Sequence, residues 1–145
     1  MNQTLEHALT QEFLAWQGSI ATPVGLPEVR QAEAALGVLF PDDYRRFIER
    51  FGGAVIRGTS IFGLRQPDLM AEEPSSVVDQ SIAFRQELPE PFANIIVISV
   101  DDAGNPIGFL PSNPSVITFD HNFGGRYELA ATFEDYLRHL FTPPT

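Results

Sequence analysis

Apolar residues recur at helical spacing three times in the first third of the chain. Leu5, Leu9, Phe13 and Trp16 precede Gly18, a spacing that predicts an amphipathic helix over residues 3–17 closed by a glycine. A second helix is expected over PEVRQAEAALG, residues 27–37. Pro27 suits its first turn, Val29, Ala32 and Leu36 lie on one face, and Gly37 stands just past its end. Pro41, Asp42 and Asp43 then open a third helix, where a fixed backbone angle and negative charge suit the N-terminal dipole end. Tyr44, Phe47, Ile48 and Phe51 fall at i, i+3, i+4 and i+7, Arg45, Arg46, Glu49 and Arg50 take the outer face, and Gly52-Gly53 ends the helix. The stretch LGVLFPDDYRRFIERFGG is therefore a helix, a short loop pinned by Gly37 and Pro41, and a second helix.

The pattern then changes to strands. AVIRGTSIFGL, residues 54–64, is rich in branched and aromatic residues and is broken by Gly58, as in a hairpin. A helix is expected over SSVVDQSIAFRQEL, flanked by PDLMAEEP and PEPF. IIVISV (95–100), PIGFLP (106–111) and VITFDH (116–121) read as three short strands separated by the turn-like DDAGN and SNPS. The connections are too short for crossover helices, so the strands should form an antiparallel meander. A last helix follows Thr132, with Thr132 and Asp135 spaced as in a capping box and Phe133, Tyr136, Leu137 and Leu140 facing inward. Helices, a run of strands and a closing helix predict an α+β fold, a mostly antiparallel sheet flanked by helices.

At 145 residues and 43% hydrophobic, the chain fits one domain with a real core. It has no apolar run of membrane-spanning length, and MNQTLEHALTQEF lacks the basic start and apolar middle of a signal peptide, so a cytoplasmic location is expected. Without cysteine, disulfides, thiolate metal sites and cysteine nucleophiles are excluded together. The net charge of −10 is concentrated in residues 66–104, which hold eight acids against one arginine. Such a field repels nucleic acid and anionic membranes and steers a basic partner in, although acidic surfaces also serve solubility alone.

No catalytic set declares itself. His7, His121 and His139 lie on separate expected elements, and none has a second ligand at metal-binding spacing on its own helix. Asp120 and His121 could orient an imidazole for general base work in a small hydrolase, but adjacent strand residues point to opposite faces. DDAGN lacks the spacing and closing glutamate of a calcium loop and reads as a turn. HNFGG and RFGG are not phosphate loops, and there is no G-x-S-x-G. No cofactor is expected.

In their order along the chain, V-x-x-A-E-x-x-L-G at 29–37, F-P-x-D-Y-R-x-F at 40–47, F-G-G at 51–53 and I-F-G-L at 61–64 resemble the N-terminal signature of the SUKH superfamily. V-D-D-A-G-N, F-D-H and the A-x-T-F-E-D-Y-L helix resemble its C-terminal half. The resemblance spans residues 26–141 and leaves 1–25 as a helical extension of a single SUKH-like domain. The chain departs from it at Phe119, where members often show tryptophan, and at Phe51 before the paired glycines, where they often show asparagine. The superfamily includes the yeast cell-wall-assembly regulator domain and bacterial immunity proteins of polymorphic and contact-dependent toxin systems. The resemblance thus implies a non-enzymatic immunity protein that binds a cognate toxin domain, a basic nuclease being one such partner. The alternative it leaves is an intracellular regulatory or scaffold binding module of the cell-wall-assembly-regulator type. The signature residues have structural duties as helix ends and core, so partner contacts are expected elsewhere, at Glu72, Glu73, Asp79, Asp101, Asp102 and Asp120 around an apolar anchor that the sequence does not identify.

Overall fold

A computed structural model describes residues 2–70, 76–90, 92–120 and 124–142. Helices α1 (Gln3–Ala15), α2 (Leu26–Leu36) and α3 (Asp42–Phe51) come first, followed by a hairpin of β1 (Ala54–Ile56) and β2 (Thr59–Ile61). Helix α4 (Val77–Arg85) and a single 3-10 turn (Phe92–Asn94) lead into strands β3 (Ile96–Val100), β4 (Pro106–Phe109), β5 (Val116–Asp120) and β6 (Gly125–Ala130), and α5 (Phe133–Phe141) closes the order. The four later strands form one antiparallel sheet in sequential order. The α+β architecture is as the sequence pattern implies.

The meander has four strands where the sequence suggested three. β6 carries Arg126, Tyr127 and Glu128 exposed in succession, so it lacks the apolar alternation that marks the others. It forms by pairing along all of β5, from Val116 with Ala130 to Asp120 with Gly125. Charged residues on such an edge strand discourage pairing with a second chain. β3, by contrast, is buried from Ile96 to Ser99, which requires cover on both faces and explains its unbroken apolar run. Phe62 N donates to Ile98 O at 2.7 Å and Ser99 Oγ to Ser60 O at 2.6 Å, tying the hairpin to this strand, while Val97 N donates to Ser81 Oγ of α4 at 2.8 Å.

The core is aromatic at its centre. Tyr44 of α3 is fully buried, its ring lies 5.1–5.5 Å from those of Phe40, Phe109 and Phe133, and its hydroxyl donates to Phe62 O at 2.5 Å. One side chain thereby joins α3, the sheet, α5 and the end of the hairpin. Two signature acids act inside the fold. Glu33, 3% exposed, accepts from Phe40 N and from Arg30, both at 2.7 Å, and so holds the loop between α2 and α3. Asp43 accepts from its neighbour Tyr44 N at 2.9 Å and, across the structure, from Glu134 N at 3.1 Å in the first turn of α5. Arg85, at the end of α4, donates to the carbonyls of Leu36, Ile95 and Asn94, a use of its planar fork that satisfies three loop and helix-end acceptors at once. Partial burial lowers its pKa from the usual arginine value without threatening its charge.

α1 packs on this core rather than trailing from it. Leu5 and Leu9 are buried, and the Phe13 ring sits 5.2 Å from that of Phe51. Trp16 departs from the expected stripe. The helix ends at Ala15, Trp16 takes an extended conformation as its C-cap, and the indole is 60% exposed.

Candidate functional site

Ile56 pairs with Thr59, so Arg57 and Gly58 form a two-residue hairpin turn, and both have positive φ, 52° and 81°. That is the geometry of the tight turns that match strand twist, which usually place Asn or Gly at the first position. An arginine there is held from below. Glu12 of α1, 8% exposed, accepts a hydrogen bond from Arg57 N at 2.8 Å, so a buried carboxylate fixes the tip of the hairpin to the first helix.

The tip separates two clefts. On one side, Trp16, Val55 and Leu69 line an apolar cleft of about 460 Å³ with Arg57 and Gly58 at its rim. Backbone bonds set its walls, since Val55 N donates to Ser19 O at 2.7 Å and Leu69 N to Gly18 O at 2.9 Å. Leu69 is 49% exposed, so with Trp16 it presents two large apolar side chains to solvent in one place. On the other side, Gly58, Thr59, Gln80, Asp101, Asp102 and Tyr136 border a groove of about 730 Å³. A third groove, of about 700 Å³, lies beyond the opposite end of β4 between the α2–α3 loop and residues 110–114, and its most prominent apolar side chain is Leu39, 72% exposed.

Of the acids singled out in the sequence, Asp101 and Asp102 meet in the groove beside the hairpin tip. Their roles differ. Asp101 Oδ1 accepts from Ala103 N and Asn105 N, both at 2.9 Å, and Oδ2 from Asn105 Nδ2 at 3.2 Å, so its carboxylate builds the turn between β3 and β4. Asp102 is exposed. Asp79 is exposed in the first turn of α4, next in sequence to the groove residue Gln80. Strand register places Asp120 at the same end of the sheet as the Asp101–Asn105 turn, because β5 runs antiparallel to β4. Glu72, Glu73 and His121 lie outside the described residues. Among the described residues, no group of three or more His, Asp or Glu side chains could hold a metal ion, and no helix is long and apolar enough to cross a membrane.

Tyr136 borders the groove from α5. Thr132 Oγ1 accepts from Asp135 N at 3.1 Å, the capping-box bond expected from the sequence, and together with Asp43 it fixes the start of the helix. Burial pushes the Tyr136 phenol up to about 12, its hydrogen bond with Ser99 pulls the other way, and the charge of Asp101 adds to the rise. Burial likewise raises Tyr44 well above the ordinary tyrosine value. Both groups favour the folded state while neutral, so their stabilisation is complete below the unfolded pKa of 10 and is lost as pH climbs through the folded values. Denaturant titrations between pH 10 and 12 should therefore show the Tyr136 share falling by about 2–3 kcal/mol. Tyr136→Phe, which cannot ionise, should lose correspondingly less over that window; an identical fall would disprove a buried, neutral Tyr136.

The apolar cleft was not foreseen. Its one sequence signal was the lone Trp16, which helical periodicity placed on the core side. A sequence model of the SMI1/KNR4 family (SUKH-1) matches residues 23–139, which include the hairpin, the acidic groove and Leu69 but not Trp16. No curated protein matches the chain.

Proposed function

The chain belongs to the SMI1/KNR4 family (SUKH-1), and on that footing we propose that it is an immunity protein, binding and neutralising the toxin domain encoded beside it, in the cytoplasm of the producing cell. Family membership carries the reading, because the group includes toxin immunity proteins. The charge distribution supports it, with a net −7 over residues 66–104 and the exposed carboxylate of Asp102 on the groove beside the hairpin tip. An acidic surface of this kind accelerates encounter with a basic domain by long-range attraction, and nucleases are basic where they hold nucleic acid. The function needs binding rather than turnover.

The test is co-expression of the chain with the C-terminal domain of the adjacent toxin gene. Cells should survive with the chain and die without it. Association measured with the purified pair should slow as salt rises, because screening shortens the range of steering. Glu72→Gln, Glu73→Gln, Asp79→Asn and Asp102→Asn together should lower the on-rate, and Asp79→Asn with Asp102→Asn alone should leave melting nearly unchanged, because those two exposed charges contribute little to stability. Death of cells carrying the wild-type chain, with no complex formed, would reject the immunity reading. Absence of any adjoining toxin gene would favour the regulatory module that the same family includes.

A further inference from the structure

Resting on that reading, we propose that the cleft of Trp16, Val55 and Leu69 is the apolar anchor of the toxin contact. Its occupant is a segment of the basic toxin domain that sets an apolar side chain between Trp16 and Leu69 and reaches across the hairpin tip to place a lysine or arginine in the groove beside Asp102. Three observations converge on this surface.

The first is exposure. Trp16 and Leu69 are 60% and 49% exposed and line the same cleft, and tryptophan is the residue type most often found to dominate a binding interface. The second is continuity. Gly58 borders both the apolar cleft and the acidic groove, so a single extended segment crossing the tip can engage both. The third is charge complementarity. The groove adds Asp102 to a chain of net charge −10, and a cationic side chain of the partner answers that field where an anionic or neutral ligand would not. The base of the surface is tied together by hydrogen bonds. Glu12 grips the tip through Arg57 N, and the walls are joined by the backbone bonds of Ser19 and Gly18, which leaves the side chains of Trp16 and Leu69 as the groups to be ordered on association. The groove bearing Leu39 is close in volume to the groove beside Asp102 but includes none of the acids singled out in the sequence, which makes Leu39 a fitting control.

The experiment uses the full chain and a catalytically inactive form of the toxin domain from the adjacent gene. Trp16 is the sole tryptophan of the chain, so with a toxin domain whose own tryptophans are replaced its emission reports this cleft alone, and it should shift to the blue when the complex forms. Trp16→Ala should weaken binding about 30-fold or more, through the off-rate, as removal of a central aromatic anchor does. Leu69→Ala should act in the same direction, and Asp102→Asn should lower the on-rate by a few-fold at low salt and hardly at all at high salt. Leu39→Ala should bind as wild type. Because all four side chains are exposed, melting temperatures verify that the variants are folded. Tight binding by wild type with undiminished binding by Trp16→Ala and Leu69→Ala overturns the anchor and leaves the immunity reading standing. Failure of the wild-type chain to bind overturns both. Self-association abolished by Trp16→Ala would give the cleft to a second copy of this chain and equally refute the proposal.

Discussion

Phe47→Ala is expected to destabilise the protein by about 3–5 kcal/mol, the range for removing a fully buried aromatic ring. Phe47 has no exposed surface, and its ring lies 5.1 Å from that of Phe51 and 5.2 Å from that of Phe133. The substitution would open a cavity between α3 and α5, and the neighbouring rings belong to elements pinned elsewhere, by Asp43 at the start of α5 and by Gly52 at the end of α3. Collapse to refill the space is therefore limited, which favours the upper part of the range. In a urea titration the midpoint should fall with the slope unchanged, the mark of lost stability without a changed unfolded state. A wild-type midpoint would remove Phe47 from the core.

The prominence of this residue in the sequence has a physical reason. An α-helix with one apolar stripe and charges opposite it can bury itself in only one orientation, and Tyr44, Phe47, Ile48 and Phe51 are all buried as their spacing requires. Caps are nearly as direct, because they depend on one residue and a neighbouring amide. Gly37 at the end of α2 and Thr132 before α5 both behave as local chemistry dictates. β6 was hidden for the opposite reason. Its identity as a strand lies in the edge of β5, to which it pairs, and its own run of Arg126, Tyr127 and Glu128 has no buried face to leave a period. The expected helix over residues 75–88 shortened to Val77–Arg85, since Ser76 caps it through Asp79 N and Arg85 is drawn onto the three carbonyls around Leu36 and Ile95.

The surface was legible as a sign of charge and little more. Composition along the chain marks an acidic middle third, but it does not separate an aspartate that folds its own turn, as Asp101 does, from one that faces solvent, as Asp102 does. The distinction rests on backbone amides a few residues away. The apolar cleft was further out of reach. Trp16, Val55 and Leu69 come from a helix end, a strand and a loop, and they meet because the carbonyls of Ser19 and Gly18 accept from the amides of Val55 in the hairpin and Leu69 in the loop. Helical periodicity assigned Trp16 to the core, and the assignment failed by one residue, at the C-cap where the helix had already ended.

Gly52→Ala should cost about 2–5 kcal/mol, and Gly37→Ala only about 1–2 kcal/mol, although both glycines end helices in nearly the same left-handed conformation, at φ of 76° and 71°. The left-handed backbone penalises any L side chain by roughly 1–2 kcal/mol, and this part is common to both positions. They differ in what a Cβ would meet. At Gly37 nothing lies within 4 Å, whereas at Gly52 the new atom would overlap the carbonyl oxygen of Thr22 and crowd the Arg65 side chain at 3.1 Å. Gly52 O in turn accepts from Leu64 N at 2.8 Å and Arg65 N at 2.9 Å, so the chain segments around it are already locked by hydrogen bonds and cannot withdraw. Relieving the overlap must break or stretch those bonds, which adds the roughly 1–3 kcal/mol of an overpacked site. Comparing the two alanine variants in one denaturant series isolates that second contribution from the first. Equal losses would mean that both glycines serve backbone conformation alone, and the close approach of residues 22, 52 and 65 would then have no part in holding α3 against the hairpin.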